Sequence, residues 1–297
     1  MDSSLNLNGA AASPHTHDSN WEPPRSRTRN AIDMVSSGGI GPGPRIEQIH
    51  DVNEALDLYA KQYLPGQKKS IPGIAVRSLL LGVVFTLSTN LTLFLLFCTG
   101  TPLWRLPFFL TILSTFHFLE FWTTARYNPP AMSISSFLLS QNGSAYIIAH
   151  TGAIAECLLR NTLLCSISPL LPSSFSNALI VLSLCLMVVG QAIRSYAMIT
   201  AGTNFNHIVQ HTRKSTHTLV TDGIYAWLRH PSYFGYFWWG LGTQIMMGNV
   251  VGFIGYTVVL WTFFYRRIGG EEALLIKFFG DDYVQYKKRS WVGIPFI

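Results

Sequence analysis

Six apolar stretches succeed one another between residues 73 and 265, and the first two, 73–98 and 103–125, are each long enough as helix to cross about 30 Å of hydrocarbon. A bilayer offers no water to exposed backbone N–H and C=O groups, so such spans must be helices or closed barrels. Runs of twenty or more apolar residues accordingly read as spanning helices. A third stretch, 145–165, carries Glu156 and Arg160 one turn apart, and 177–201 is a fourth. The last two, 233–247 and 250–265, meet at Gly248-Asn249 and at about 15 residues each would reach only roughly 23 Å. They read as a short C-terminal helical hairpin. The expected fold is therefore all-α, a polytopic integral membrane protein of about six transmembrane helices. Composition agrees, since 48% of residues are hydrophobic and 12% charged, about half the charged share of a soluble domain.

Around these spans the chain divides into three. Residues 1–70 are expected to be a disordered cytosolic N-terminus, rich in Ser, Gly, Pro, Asn and His. Within it 46–63 has an amphipathic pattern, with Ile46, Ile49, Ala55, Leu56 and Tyr59 on one face, suited to the membrane surface or the core. The glycines of 38–45 share spacing with a phosphate loop, but interleaved prolines and no preceding strand argue against one. Residues 71–201 hold the first four helices, and 202–297 hold the hairpin 231–265 and a cytosolic tail.

The formal charge of +6 does not form one continuous patch of the kind nucleic acid requires. Basic residues gather at 25–69, 213–229 and 266–289, all outside the apolar stretches. With six passes, this places both termini and the 202–229 loop in the cytosol. Asn142 and Asn90 are then no glycosylation sites, the first being cytosolic and the second inside a span. Cys98, Cys157, Cys165 and Cys185 all lie in or beside apolar stretches without metal-binding spacing, and are expected as buried thiols. No signal peptide precedes Gly73, so the first span is expected to act as its own insertion signal.

Polar and aromatic residues return between His217 and Gly240, and again at 266–272. Ionisable groups are costly at membrane depth, so a cluster of them there proposes a site. Pro231 suits the first turn of a helix, which sets His230 just before a helix N-terminus. Gly202, Asn204, Asn206, His207, Gln210 and His211 form a polar stretch upstream, and Asp222-Gly223 marks a turn that brings Tyr225 near. Such a pocket suits a nucleoside-like cofactor with a positive centre, because aromatic rings attract cations. Trp238 and Trp239 read as interfacial anchors. Arg267 and Glu271, at i,i+4, form either a surface ion pair or a carboxylate clamp, since guanidinium grips carboxylate in a fork. Glu272 suits either role. Deeper, Glu156 and Arg160 are expected to neutralise each other, and Glu120 to pair with Arg126 or His117.

These motifs resemble isoprenylcysteine carboxyl methyltransferases. The resemblance rests on 202–244 (GTNFNHIVQHTRKSTHTLVTDGIYAWLRHPSYFGYFWWGLGTQ), on EEALLIKFFGDDYVQYKKR, on the terminal GIPFI, and on FHFLEFWTTARYNP and SAYIIAHTGAIAECLLR upstream. It covers most of the chain from about residue 70. It implies methyl transfer from S-adenosylmethionine to the C-terminal carboxylate of a prenylated cysteine in CaaX-processed proteins, Ras- or Rho-like GTPases or prenylated peptides, in the endoplasmic reticulum membrane with the active site facing the cytosol. By motif match, Gln210, His217, Thr218, Leu219, Val220, Tyr225, His230, Pro231, Ser232, Tyr233 and Glu271 would bind the cofactor. Arg267 would bind the substrate carboxylate, and Arg267 and Glu271 would be the catalytic pair. Gly269-Gly270 depart from the acidic residues that relatives often carry there, which loosens the helix before Glu271. No metal is implied. Phospholipid N-methyltransferases and NADPH-dependent sterol reductases carry similar RHP motifs. The former need no carboxylate clamp such as Arg267. The latter need more basic residues in the 202–229 loop than Arg213, Lys214 and Arg229. A scaffold or transporter would show internal repeats, and none is visible.

Overall fold

A computed structural model of the chain describes residues 52–139, 143–162, 173–213 and 215–297. The expectations for residues 1–50, for the phosphate-loop-like run, for Cys165 and for the loop after it fall outside these residues. Residues 53–297 form one compact unit. The fold is helical, and among the described residues the only β pairing is an isolated bridge between Leu228 and Trp291. Its helices are α1 (Val52–Lys61), α2 (Ile71–Phe94), α3 (Arg105–Tyr127), α4 (Gly143–Thr162), α5 (Ser173–Ala201), α6 (Pro231–Met247), α7 (Val250–Phe279) and α8 (Asp281–Arg289).

Three helical stretches, Ile71–Thr99, Pro102–Tyr127 and Ser176–Asn204, have the length and apolarity to cross a membrane. Their outward faces carry Leu79, Leu87, Val181 and Val188, all exposed, as surfaces that meet acyl chains should be. Cys98 and Cys185 share that outward exposure, so among the described cysteines only Cys157 fulfils the expectation of burial. On α1, Leu56 and Tyr59 are also exposed, so this apolar face is not used against the protein's own core.

Neighbouring helices run antiparallel. Ser88 and Thr111 share a hydrogen bond of 2.8 Å between α2 and α3. In lipid the hydrophobic effect does not drive helices together, and small residues that let backbones approach take over. Between α5 and α6 this is extreme. A Cβ added to Gly190 would stand 2.6 Å from the Gly235 carbonyl and 2.9 Å from the Trp239 amide, so only glycine permits this crossing. Trp239 lies beside it, 3% exposed and stacked at 4.5 Å on Phe116. It is a core residue and not the expected interfacial anchor, because the glycine crossing draws its face of α6 inward.

The C-terminal hairpin is asymmetric, which corrects its expected shortness. The first arm, α6, has 17 residues. The second, α7, has 30 and runs unbroken through Gly269-Gly270 to Phe279, about 45 Å of helix. Two glycines cost about 1 kcal/mol each in a helix, but buried Ile268 and Glu272 hold both flanks. The corner at Gly248-Asn249 turns as expected, but Glu156 and Arg160 do not neutralise each other there. Glu156 accepts from the amides of Val250 (2.7 Å), Val251 (2.9 Å) and Gly252 (2.7 Å), covering the positive end of α7. Arg160 donates to the Gly248 carbonyl at the negative end of α6. Each charge is spent on a helix end rather than on its neighbour one turn away, because unpaired backbone groups are costlier in a membrane than an i,i+4 pair is worth.

Candidate active site

Beyond α5 the chain leaves its helix and is tied back at several points. Asn204 accepts from the Thr218 amide (3.0 Å) and donates to its hydroxyl (3.1 Å), folding 205–217 into a loop. Asn128, at the end of α3, donates to the Phe205 carbonyl (2.8 Å). Arg213 donates to the Phe278 carbonyl (2.6 Å) and lies 4.8 Å from the Phe279 ring, placing a cation where the α7 dipole ends. Gly223 then turns the chain at φ +54°, where a side chain would be strained and would crowd Thr200 at 3.0 Å. Tyr225 follows, its hydroxyl 3.4 Å from the Ala197 carbonyl.

Pro231 opens α6 as its sequence position predicted, and the His230 carbonyl takes the Tyr233 and Phe234 amides, both at 3.0 Å. The His230 ring stacks on Tyr233 with centroids 5.4 Å apart and planes within 5°. It is buried, and its Nε2 has no hydrogen-bond partner. The nearest carboxylate oxygen, on Glu272, stands 3.4 Å away, close enough for attraction between charges but outside hydrogen-bond geometry. The His230 ring also forms part of the cavity wall.

That cavity is large, about 2470 Å³. At its polar end the walls bring together Thr218, Leu219, Val220, Tyr225, His230, Pro231, Ser232, Tyr233, Arg267 and Glu271. Gln210 and His217 are not on its lining. The Gln210 amide is turned back onto the Ile208 carbonyl (2.9 Å). From this end the cavity continues along one face of α7, past Phe263, Leu260, Tyr256 and Gly252, and along α4 past Ala149 and Glu156.

Arg267 and Glu271 do not pair directly. Arg267 Nε donates to the Tyr233 hydroxyl (2.8 Å), which in turn donates to Glu271 Oε2 (2.6 Å). Arg267 Nη2 donates to the His207 carbonyl (2.5 Å), and Tyr233 and Phe263 rings flank the guanidinium at 5.4 and 5.7 Å. The fork is thereby oriented from behind, with Nη1 left over. The continuous helix gives the i,i+4 spacing that Gly269-Gly270 had put in question, with a phenol interposed.

Glu272, one residue on, points the other way. Its carboxylate takes Arg229 Nε at 2.6 Å and the Lys287 ammonium. Burial pushes this carboxyl up, but His230, Lys287 and Arg229 more than offset that and hold it well below the usual carboxylate range. Arg229 also donates to the Ser290 carbonyl (2.8 Å), and Tyr286 to the Tyr225 carbonyl (2.7 Å), so α8 and the tail strap the 223–230 segment. Burial raises the Tyr225 and Tyr283 phenols and pushes Tyr286 up to about 12. These rings remain hydrogen-bond donors at neutral pH, so none of them is a base.

Inside the membrane Glu120 pairs with neither Arg126 nor His117. It takes a two-pronged bond from Arg194, at 2.5 and 2.7 Å, and one from His207 at 2.9 Å. His117 is satisfied elsewhere, by the Phe137 carbonyl (2.7 Å) and the Tyr146 hydroxyl (2.8 Å). Arg194 had gone unnoticed within an apolar run. Among the described residues no His, Cys, Asp and Glu cluster suits a metal ion.

Comparison with known proteins bears directly on this arrangement. The profile of the isoprenylcysteine carboxyl methyltransferase family matches residues 181–277. The protein-S-isoprenylcysteine O-methyltransferase of Saccharomyces cerevisiae is 46% identical over 64% of this chain and 79% of its own length. That of Schizosaccharomyces pombe is 41% identical over 77% of this chain and 96% of its own. The human protein of that name is 40% identical over 75% of each. A solved structure of the eukaryotic intramembrane Ras methyltransferase, isoprenylcysteine carboxyl methyltransferase, superposes with a TM-score of 0.69 at 30% identity, covering 92% of this chain and 87% of that one.

Proposed function

This chain belongs to the isoprenylcysteine carboxyl methyltransferase family, and from that premise we propose how its site carries out the reaction. The protein is a membrane-embedded methyltransferase that esterifies the C-terminal carboxylate of prenylated cysteine in CaaX proteins. The methyl donor is S-adenosylmethionine. The stacked His230 and Tyr233 rings and the nearby carboxylate of Glu271 suit a nucleoside bearing a cationic centre. Thr218, Leu219, Val220, Tyr225, Pro231 and Ser232 complete that wall. Gln210 and His217 join it only if their loop closes further around the donor.

Arg267 receives the substrate carboxylate. Its guanidinium, held by the Tyr233 hydroxyl and the His207 carbonyl at the mouth of the cavity, is the observation that carries the reading. A cysteine α-carboxylate has a pKa near 3.5 and is already ionised at neutral pH, so no general base is needed. One carboxylate oxygen bonds to the methyl carbon, the carbon–sulfur bond of the donor breaks, and its electron pair stays on sulfur. No proton moves, and a cation and an anion are both neutralised. The residues therefore have two tasks, to align the two groups and to keep water from solvating their charges. The apolar length of the cavity along α7 and α4 suits the prenyl tail, at about 0.8 kcal/mol per buried CH₂.

All six helices from α2 to α7 then traverse or line the bilayer, with the polar end of the cavity facing the cytosol. The basic clusters at 213–229 and 266–289 support that orientation. Endoplasmic reticulum membranes and Ras- or Rho-like substrates follow from the same family reading. The test is transfer of labelled methyl from S-adenosylmethionine to N-acetyl-S-farnesylcysteine by membranes containing the chain. Base-labile label on the prenylcysteine is expected, and donor binding without such label would redirect the reading to another acceptor.

A further inference from the structure

Glu120 touches neither reactant in the scheme above, yet its bonds lead to both ends of the site. It is 1% exposed and lies inside a membrane helix, where a carboxylate is kept only if fully compensated. The two-pronged bond from Arg194 already achieves this. Two further connections exceed what holding a pair of helices together requires. One comes to Glu120 from the His207 ring, and the carbonyl of that same residue orients Arg267. The other leaves Arg194 through Nη1 for the hydroxyl (3.0 Å) and carbonyl (3.2 Å) of Ser232, in the first turn of α6 beside His230. Phe116 and Tyr236 rings at 5.4 and 5.2 Å from the Arg194 guanidinium leave it little room to swing.

We propose that Glu120 is a positioning residue for methyl transfer, setting the carboxylate clamp through His207 and the donor wall through Arg194 and Ser232. This rests on the methyltransferase reading. Both arms are short chains of charge-assisted hydrogen bonds with fixed geometry. A displacement of about 1 Å at a reacting group can cost on the order of a hundredfold in rate, so such fixation has a kinetic consequence apart from stability.

The experiment measures KM for N-acetyl-S-farnesylcysteine and for S-adenosylmethionine separately, with kcat normalised to folded enzyme by thermal unfolding in detergent. Glu120→Gln is expected to lower kcat by on the order of a hundredfold and to raise both KM values. His207→Ala is expected to raise only that of the prenylcysteine. The double variant Glu120→Leu with Arg194→Met leaves no charge unpaired, and such replacements of buried ion pairs are often neutral for folding. It is expected to fold and still show both KM values raised. A purely structural pair would leave both KM values at wild-type level in every folded variant, and that result overturns the inference. If Glu120→Gln does not fold, His207→Ala and the double variant decide. Wild-type membranes without methyl transfer would overturn the underlying reading, and the proposal with it.

Discussion

Glu120 and Glu272 are two buried carboxylates that each face an arginine and a histidine, one deep among α3 and α5 and the other where α7 leaves the apolar zone. At Glu120 the carboxylate is 1% exposed and its arginine partner only 8%, with His207 at 19% the most open of the three. At Glu272 the lysine partner is 45% exposed and reaches water. Loss of a partner therefore means something different in each place. Inside the membrane it strands a charge, whereas at the rim solvent takes over. The deep centre orients Arg267 and Ser232, and the rim centre straps α8 and the tail across Arg229 and His230. The site lies between a rigid anchor and a compliant one.

The strongest way to sharpen this contrast is to remove what the deep centre aims. Arg267→Ala is expected to reduce methyl transfer to background while donor binding, measured by equilibrium binding of labelled S-adenosylmethionine, stays near wild type. His230→Ala, on the rim side, is expected to do the reverse, weakening donor binding while some transfer survives at high donor concentration. Wild-type kinetics in either variant would break the corresponding assignment.

Next in size is stability. Arg194→Ala strands Glu120 and is expected to cost about 3–5 kcal/mol, read as a lowered unfolding midpoint in detergent. Lys287→Ala at the rim is expected to cost well under half of that, since exposed ion pairs contribute about 1 kcal/mol or less. Equal losses would remove the distinction between the two centres.

A smaller effect comes from pH. The folded Glu272 carboxyl is depressed, so its contribution to stability is fully present above the ordinary glutamate range near 4.5. It is lost as pH falls from there toward the depressed value. Glu272→Gln is expected to flatten the dependence of Tm on pH below about 4.5 and leave the dependence above it unchanged. Smallest of all, Gly270→Ala is expected to stabilise α7 by about 0.5–1 kcal/mol. A Cβ there meets nothing within 4 Å, and Gly270 does not line the cavity. If transfer falls with this substitution, looseness between Arg267 and Glu272 is itself part of the reaction.

The helical class, the polar return at 202–240, Pro231 opening a helix and a break at Gly248-Asn249 were all legible in sequence, because each is written in local pattern. The length of α7 was not, since a polar, glycine-containing extension of an apolar span looks like its end. Trp239 was misread for a related reason. The interfacial preference of tryptophan is a statistical tendency, whereas burial here follows from the Gly190–Gly235 crossing, a contact 45 residues apart along the chain. The Glu120–Arg194 pair had a signal that sequence proximity concealed. Each residue lies seven positions before the last residue of its helix, α3 and α5 respectively, and so at matching depth from the same membrane face. Matching lone charges by depth, instead of seeking partners at His117 or Arg126, would have found it.

The glycine crossing of α5 and α6 also sets where the molecule can yield. Where Gly190 meets Gly235, backbone lies against backbone with no side chain between to change rotamer, so that point of the seam has no slack to give. Room for a tail as bulky as a prenyl chain lies instead on the opposite side of the cavity. There Gly152 of α4 and Gly255 of α7 have nothing within 4 Å of a would-be side chain. The α5–α6 crossing is the close-packed wall beside the cavity, and α4 and α7 carry its loosely filled one.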